Sequence, residues 1–403
     1  MSRISRSDSV KFVSLYSGCG GLDLGFKDAG LLPLSSFDFD QTALDTLKQN
    51  VHPEAHKADL SKWDDSLIAR VAQSDVLIAG PPCQGFSTAG KNNPKDVRND
   101  HLLNVAKIAR KALPGIVVIE NVKGLLSSHN AEHFEQTLSM LKSSGYAVSW
   151  EVYTTSDYGI AQQRKRVIIL ATLGQEKFEL KLKCLERVSL AQALAGIELV
   201  ETKPKQLLNE TSDEYKIAKR IHPGQKLSNV RGGLKSVHTW EIPEVFGHVT
   251  TEEVSYLETI VKLRRQKRRR TNGDADPVEE RFMRDYFGSR SSSICASLLA
   301  KGYLRRVDEY LDLTNSFNGK FRRLTWDGTA PTVDTRFGQP RYFLHPDEHR
   351  GYSVREAARV QSFPDQFSFS GSESAAYRMI GNAVPPKFSR AIAEDVLRIW
   401  KEM

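Results

Sequence analysis

The feature that most constrains this chain is the alternation of short apolar runs with amphipathic stretches over its first 170 residues. Apolar runs of this length predict buried strands, and the stretches between them have helical spacing. Alternating strands and helices are typical of a Rossmann-like, doubly wound α/β domain with a parallel sheet. The predicted strands are 11–18, 32–39, 74–80, 115–122 and 166–170, and the predicted helices are 22–30, 42–50, 102–113 and 131–145.

The charge balance points to a polyanionic partner. The 403 residues carry a formal net charge of +8, which suits nucleic acid, although a basic enzyme without such a partner is equally compatible with charge alone. No apolar run is long enough to span a membrane, so a cytoplasmic location is expected. The four cysteines are not spaced as a zinc or redox pair, and no metal site or disulfide framework is expected.

The alternation fades after residue 185, which suggests a second and less regular domain. We predict a catalytic domain over 1–185, a smaller irregular domain with its supporting scaffold over 186–370, and a segment over 371–403 that returns to the first domain after a Gly-Asn turn. The dense basic run KLRRQKRRR at 262–270 is either a solvated helix face or hinge, or a contact for a phosphate backbone.

A glycine-rich turn follows the first predicted strand. Gly18, Gly20 and Gly21 lie in YSGCGGLDLGF, where a ligand can approach the backbone closely, but the spacing is not GxGxxG and disfavours a dinucleotide. Asp38 ends the second strand about 20 residues later and is either a ribose ligand or a plain loop carboxylate. Asp59 is either an adenine contact or another loop carboxylate.

A single thiol, Cys83, lies in GPPCQGFS directly after a predicted strand. Two prolines stiffen its approach, and the carboxyl end of a strand is where open α/β sheets bind ligands. A structural cysteine would more often lie inside the apolar run, so the position favours a nucleophile.

Two further strand ends carry charge. Glu120 ends the strand at 115–122 and is either a solvated loop acid or a group that engages a ring nitrogen. Gln162, Arg164 and Arg166 precede the next apolar run, and alternate residues of an extended segment face one side. The two arginines would then project together, either toward a carboxylate, phosphate or carbonyl oxygen or as a surface basic pair.

Together these stretches resemble the DNA (cytosine-5)-methyltransferase family in identity, order and approximate spacing. The resemblance covers most of 10–175 and 322–400, through SLYSGCGGLDLGF, AGPPCQGFS, ENV, QQRKRV, YSVREAARVQSFPDQF and RMIGNAVPPKFSRAIAEDV. Residues 186–320 match no named pattern, as the resemblance implies for a target-recognition region that varies with the DNA sequence read.

The resemblance implies S-adenosylmethionine as methyl donor and a flipped cytosine as acceptor. Cys83 would attack C6, Glu120 would engage N3 and the exocyclic amine, and one of Arg164 and Arg166 would hold O2 while the other orders the site. Asp38 replaces the family's more usual Glu, and Tyr16 its usual Phe. The implied cofactor residues are Tyr16, Gly18, Gly20, Gly21, Asp38, Phe39, Asp59, Pro81 and Asn382, and the implied DNA contacts are Gln84, Ser87 and Arg98.

The implied partner is double-stranded DNA, bound by a monomer of the prokaryotic or phage type in a restriction-modification system. A restriction endonuclease acting on the same site is then a further partner, although such enzymes also act alone. Residues 220–320 are the expected base-reading region.

Parts of the sequence are also compatible with three other functions. A tRNA cytosine methyltransferase would share the chemistry, but its typical Cys-Phe-Thr signature is missing from the middle of the chain. An inactive DNA-binding relative would not need an intact catalytic set, and a nicotinamide-dependent oxidoreductase has no use for Pro-Cys-Gln.

Overall fold

The computed structural model describes residues 9–82, 100–128, 130–200, 206–230, 232–270 and 275–403. They form two compact units: one contains the residues up to 202 together with 327–336 and 354–403, and the other contains 203–326 and 337–353. These units divide the chain at positions other than 185 and 370, so the division into functional domains given above stays a prediction.

The first unit is built on a seven-stranded sheet. Its strands are β1 (Lys11–Leu15), β2 (Leu32–Asp38), β3 (Ala55–Lys57), β4 (Val76–Ala79), β5 (Ile116–Val122), β6 (Tyr146–Thr154) and β8 (Lys165–Leu173), and a separate short pair joins β7 (Gln162–Gln163) to β16 (Ala330–Pro331). The order in the sheet is β3-β2-β1-β4-β5-β8-β6. The order reverses between β1 and β4, which is the switch point of a doubly wound sheet.

Helices cover both faces of this sheet. The helices of the first unit are α1 (Gly21–Asp28), α2 (Gln41–Asn50), α3 (Asp65–Ala72), α4 (Asp100–Ala112), α5 (Ala131–Ser143), α6 (Leu190–Leu194), α12 (Val354–Val360), α13 (Glu373–Asn382) and α14 (Pro386–Glu402). Neighbouring side chains of a strand enter different cores: Leu77 packs in the cluster with α4 and α5, whereas Ile78 packs in the cluster with α1 and α14. Strands buried on both faces account for the continuous apolar runs.

The predicted doubly wound α/β class is confirmed, and one strand departs from the parallel direction that the alternation predicts. Strands β3, β2, β1, β4 and β5 are parallel, whereas β8 runs antiparallel to both of its neighbours, β5 and β6. Helix α3 and strand β6 were not among the predicted elements. Gly381 and Asn382, predicted to form a turn, are instead the last two residues of α13.

The C-terminal helix α14 lies directly against α1. Phe388, Ile392 and Val396 of α14 are fully buried in the same cluster as Phe26. Gly25 faces Ser389 so closely that a Cβ added at Gly25 would lie 2.4 Å from the Ser389 Cβ. The close approach of the two helices therefore depends on a glycine in the middle of α1.

The second unit contains more regular structure than predicted. Its elements are α7 (Asp213–Arg220), β9 (Lys226–Ser228), β10 (Ser236–Val237), α8 (Pro243–Phe246), α9 (Thr251–Gln266), β11 (Val278–Glu279), α10 (Glu280–Phe287), α11 (Ser291–Ala300), β12 (Leu304–Val307), β13 (Tyr310–Leu313), β14 (Asn318–Lys320), β15 (Arg322–Arg323) and β17 (Phe343–Leu344). One apolar cluster joins α9 and α11 to the sheet β11-β13-β12, and another surrounds α7, β9 and β10. Within the described ranges, no helix has both the length and the apolar character needed to cross a bilayer.

The contact between α1 and α14 predicts the effect of Gly25→Ala. The added methyl group would collide with Ser389 and with the backbone nitrogen of Arg390, which lies 2.5 Å from the Cβ position. We expect a loss of about 1–3 kcal/mol in the free energy of unfolding, measured by chemical denaturation. Lys401→Ala, on an exposed position of α14, is the control and should be nearly neutral. Equal stability of the two variants would contradict this packing.

Candidate active site

A cleft of about 1640 Å³ opens at the carboxyl ends of the parallel strands, around the switch point between β1 and β4. Among the described residues, all those that line it belong to the first unit. Of the predicted site residues, those lining the cleft are Tyr16, Gly18, Gly21, Asp38, Phe39, Asp59, Pro81, Glu120, Arg164, Arg166 and Asn382. The predicted nucleophile and DNA contacts, Cys83, Gln84, Ser87 and Arg98, lie outside the described residues.

The three glycines of the turn after β1 have different surroundings. Gly18 has φ +54° and nothing within 4 Å of its missing Cβ, and its N–H donates to Asp38 Oδ2 at 2.8 Å. Gly20, at φ +87°, instead faces Leu47 behind the turn and is not part of the cleft lining. A Cβ on Gly21 would lie 2.4 Å from the carbonyl oxygen of Val384. The turn thus requires glycine for backbone shape, for packing behind it and for contact with the C-terminal segment.

One wall of the cleft combines an exposed ring with carboxylates. Phe39 is 73% exposed, which is unusual for a phenylalanine beside a cleft. Asp38 also accepts the N–H of Asp40, and burial raises the pKa of Asp38. Hydrogen bonds from the Ser61 hydroxyl and N–H lower the pKa of Asp59. This wall offers a flat apolar surface and negative charge to a ligand that is aromatic and cationic.

Tyr16 connects the glycine turn to α4. Its hydroxyl lies 3.1 Å from His101 Nδ1, and the two rings meet edge to face at 5.3 Å. Burial, with Asp59 and Asp38 nearby, raises the pKa of the Tyr16 hydroxyl, so this group stays protonated at neutral pH. His101 gave no signal in the sequence, because a lone histidine at the start of a helix has no diagnostic spacing.

Glu120 and Arg166 form a buried ion pair across two strands. Arg166 Nε lies 2.6 Å from Glu120 Oε1, and both side chains are about nine-tenths buried. Glu120 lies opposite Ile168 and Val122 lies opposite Arg166, so the pair is diagonal on one face of the sheet. Because β8 is antiparallel, its beginning lies at the edge where β5 ends. Burial of both charges gives the cleft a fixed acid–guanidinium pair.

Arg164 occupies a different position from Arg166, although both line the cleft. Its side chain is buried, and its Nη1 donates to the carbonyl oxygens of Val333 and Gly381, each at 3.0 Å. Gln162 is also buried and contacts Gln361. Arg164 therefore ties the start of β8 to the end of α13, next to Asn382.

Asn121 contacts the segment that leads to Cys83. Its Nδ2 donates to the Pro81 carbonyl oxygen at 3.3 Å, and its Oδ1 accepts the N–H of Val122 at 2.9 Å. The asparagine is buried and uses both ends of its amide, so it fixes the backbone two residues before Cys83 against β5. Asn121 belongs to the Glu-Asn-Val motif, in which the sequence predicted a role only for the acid.

A buried carboxylate next to the glycine turn links α1 to β1 and β2. Asp23 is completely buried in the first turn of α1 and accepts hydrogen bonds from Ser14 Oγ at 3.0 Å and Ser36 Oγ at 2.5 Å. Ser36 Oγ is also 2.8 Å from His52 Nε2. Burial raises the pKa of Asp23 to about 6 and lowers the pKa of His52 to about 4. Across the described ranges, no cluster of three His, Cys, Asp or Glu side chains could hold a metal ion.

Comparison with known proteins gives the context of this cleft. The model of a protein family described as C-5 cytosine-specific DNA methylase matches residues 10–398. The type II methyltransferase M.AgeI of Thalassovita gelatinovora is 28% identical over 96% of this chain and 99% of its own length. The type II methyltransferase M.BanI of Aneurinibacillus aneurinilyticus is also 28% identical, over 96% of each chain.

Solved structures share the fold. A protein described as a DNA modification methyltransferase encoded within an E. coli prophage superposes with a TM-score of 0.59 and 21% identity, covering 98% of this chain and all of that one. The S. pombe Dnmt2 methyltransferase superposes with a TM-score of 0.55 and 16% identity, covering 97% and 99% of the two chains. At these identities the likeness concerns the fold alone.

The environment of Asp23 predicts a pH-dependent stability difference for Asp23→Asn. The folded-state pKa of Asp23, about 6, lies above the ordinary value of 3.8. The contribution of Asp23 to the free energy of unfolding therefore falls as pH rises from about 4 to about 6, and it stays constant above pH 6. Asn does not ionise. Relative to the variant, the native protein should therefore lose roughly 2–3 kcal/mol of unfolding free energy across this range.

Denaturation curves at several pH values would measure this difference. Asp28→Asn, at an exposed position of the same helix, is the control and should follow the native protein at every pH. A constant difference between Asp23→Asn and the native protein from pH 4 to 7 would contradict the assignment.

Proposed function

Because the chain belongs to the C-5 cytosine-specific DNA methylase family, we propose that it transfers a methyl group from S-adenosylmethionine to C5 of a cytosine flipped out of a specific duplex DNA sequence. The observation that carries this proposal is the composition of one cleft. The glycine turn and Asp38 lie at the same sheet edge as the Glu120–Arg166 pair, and Pro81 leads from that edge to Cys83.

The wall near the glycine turn suits the methyl donor. S-adenosylmethionine supplies an electrophilic methyl group on a positively charged sulfur, and its adenine is flat and apolar. Phe39 would contact the adenine, Asp59 would accept from its edge, and Asp38 would accept from the ribose. Tyr16, Gly18, Gly21, Pro81 and Asn382 would line the remainder, with Gly20 supporting the turn from behind.

The acid–guanidinium pair suits the target base. Glu120 would bind N3 and the exocyclic amine of cytosine, withdrawing electron density from the ring as a nucleophile adds. Arg166, already held by Glu120, would bind the O2 oxygen. Arg164 would order the site, because its guanidinium is bound to two backbone carbonyls.

Cys83 would provide covalent catalysis. Its thiolate would add to C6 of the cytosine, forming a C–S bond and leaving an electron pair at C5. That pair would take up the methyl group as the sulfur–methyl bond of S-adenosylmethionine breaks, and S-adenosylhomocysteine would leave. Loss of the C5 proton to a base then restores the ring and breaks the C–S bond, so that the Cys83 thiolate is regenerated. Asn121 would position the nucleophile segment through Pro81. Gln84, Ser87 and Arg98 would contact DNA.

The relatives named type II methyltransferases favour a role in a restriction-modification system. We propose a cytoplasmic monomer bound to double-stranded DNA. A restriction endonuclease that recognises the same sequence would be its functional counterpart, and the base-reading residues would lie within 220–320.

Expression in a methylation-free bacterial host followed by bisulfite sequencing tests the activity. We expect cytosines protected from conversion at one short recurring sequence, and none with Cys83→Ala, because the covalent step would be lost. Folded wild-type protein with no protected cytosines would contradict the proposal. Labelled S-adenosylmethionine with tRNA would then distinguish an RNA substrate from an inactive relative.

Steady-state kinetics of Glu120→Gln tests the role of the acid. Glutamine preserves size but removes the charge that pairs with Arg166 and the acid that would protonate N3 as the nucleophile adds to the ring. We expect kcat to fall by about 10²–10⁴-fold with DNA affinity largely retained. Glu186→Gln, at an exposed position outside the cleft lining, serves as the control. An unchanged kcat in Glu120→Gln would show that Glu120 has no role in the chemistry.

A further inference from the structure

The basic run at 262–270 is a built part of the second unit and not a loose charged segment. Seven of its nine residues are Lys or Arg. Helix α9 extends to Gln266, and Arg264, in its last turn, is buried and pairs with Asp312 of β13 at 2.9 Å. This pair anchors the end of α9 to the sheet β11-β13-β12.

A buried carboxylate shapes the turn that follows α9. Asp276 is 1% exposed and accepts the backbone N–H groups of Arg269 and Arg270 at 2.8 and 2.9 Å. Its own N–H donates to the Arg264 carbonyl oxygen at 2.9 Å. The Arg270 guanidinium also pairs with Asp276, and these donors hold the pKa of Asp276 well below its usual range. Asp276 therefore stays ionised and holds the backbone of Arg269 and Arg270 in place.

The last turn of α9 and the residues that follow it expose basic side chains to solvent. Arg264 and Arg270 are paired with the carboxylates of Asp312 and Asp276, which leaves five exposed basic side chains: Lys262, Arg265, Lys267, Arg268 and Arg269. The Arg269 guanidinium stacks 3.6 Å from the ring centre of Tyr310, which orients it at little entropic cost. In the described part of the chain, Lys262, Arg265, Lys267 and Arg269 form no ion pair with a carboxylate.

We propose that this basic segment, residues 262–270, binds the phosphate backbone of the duplex DNA substrate without reading its sequence. The inference rests on the proposed function and adds a binding surface that the catalytic motifs do not contain. Exposed guanidinium and ammonium groups on a backbone that a buried carboxylate holds in place suit a row of phosphates, whereas an apolar partner surface would require exposed hydrophobic side chains.

The test is the salt dependence of DNA binding by the full chain. In Arg265→Gln/Lys267→Gln/Arg269→Gln we expect the slope of log K against log salt concentration to become shallower by about 2–3, since each lost phosphate contact contributes about 0.9. Affinity at moderate salt should fall about tenfold or more. The methylated sequence and kcat at saturating DNA should not change.

The matched control replaces three exposed lysines of the first unit, Lys142→Gln/Lys183→Gln/Lys401→Gln, which removes the same charge outside the cleft lining. Circular dichroism would establish that both variants fold. Equal slopes for the two variants would overturn the proposal, as would a changed methylated sequence, which would mean base reading. Failure of the wild-type protein to methylate any DNA would instead refute the proposed function.

Discussion

The reversed direction of β8 is the constraint on which the cleft depends. In a wholly parallel sheet the residues before this strand would lie at the edge where the parallel strands begin. Because β8 runs antiparallel to β5, Arg166 reaches the diagonal position beside Glu120, and Arg164 reaches the end of α13. A single choice of strand direction thereby brings an acid and two guanidinium groups to the edge that also carries the glycine turn.

The buried polar groups of the first unit form supports beneath that edge. Asp23 joins α1 to β1 and β2 through two serines, Asn121 joins β5 to the Pro81 segment, and Arg164 joins β8 to two distant backbone carbonyls. Each of these groups is buried, and each of the hydrogen bonds named here fixes a segment that lines the cleft. The cleft residues are thus oriented before any ligand arrives.

The central architecture was predictable from the sequence because buried strands between amphipathic helices leave a strong local pattern. The direction of β8 was not predictable, because β8 has the same apolar character as the parallel strands and differs only in its pairing.

The regular structure of the second unit was not predicted, although Thr250 and Glu253 form a capping box that marks the start of α9. Gly381–Asn382 suggested a turn, but packing places both residues at the end of α13. Long-range partners such as His101 have no signature in sequence.

The cleft is formed by parts of the chain that are far apart in sequence and are therefore synthesised at different times. Cys19 of the glycine turn contacts Met379, which lies 360 residues later, and the Val384 carbonyl covers Gly21. At ordinary rates of synthesis this separation corresponds to roughly 20–70 seconds. The seven strands can emerge from the ribosome well before the last wall of the cleft exists. A partly synthesised chain therefore lacks the wall of the cleft that Met379 and Val384 supply, even when all seven strands have been made.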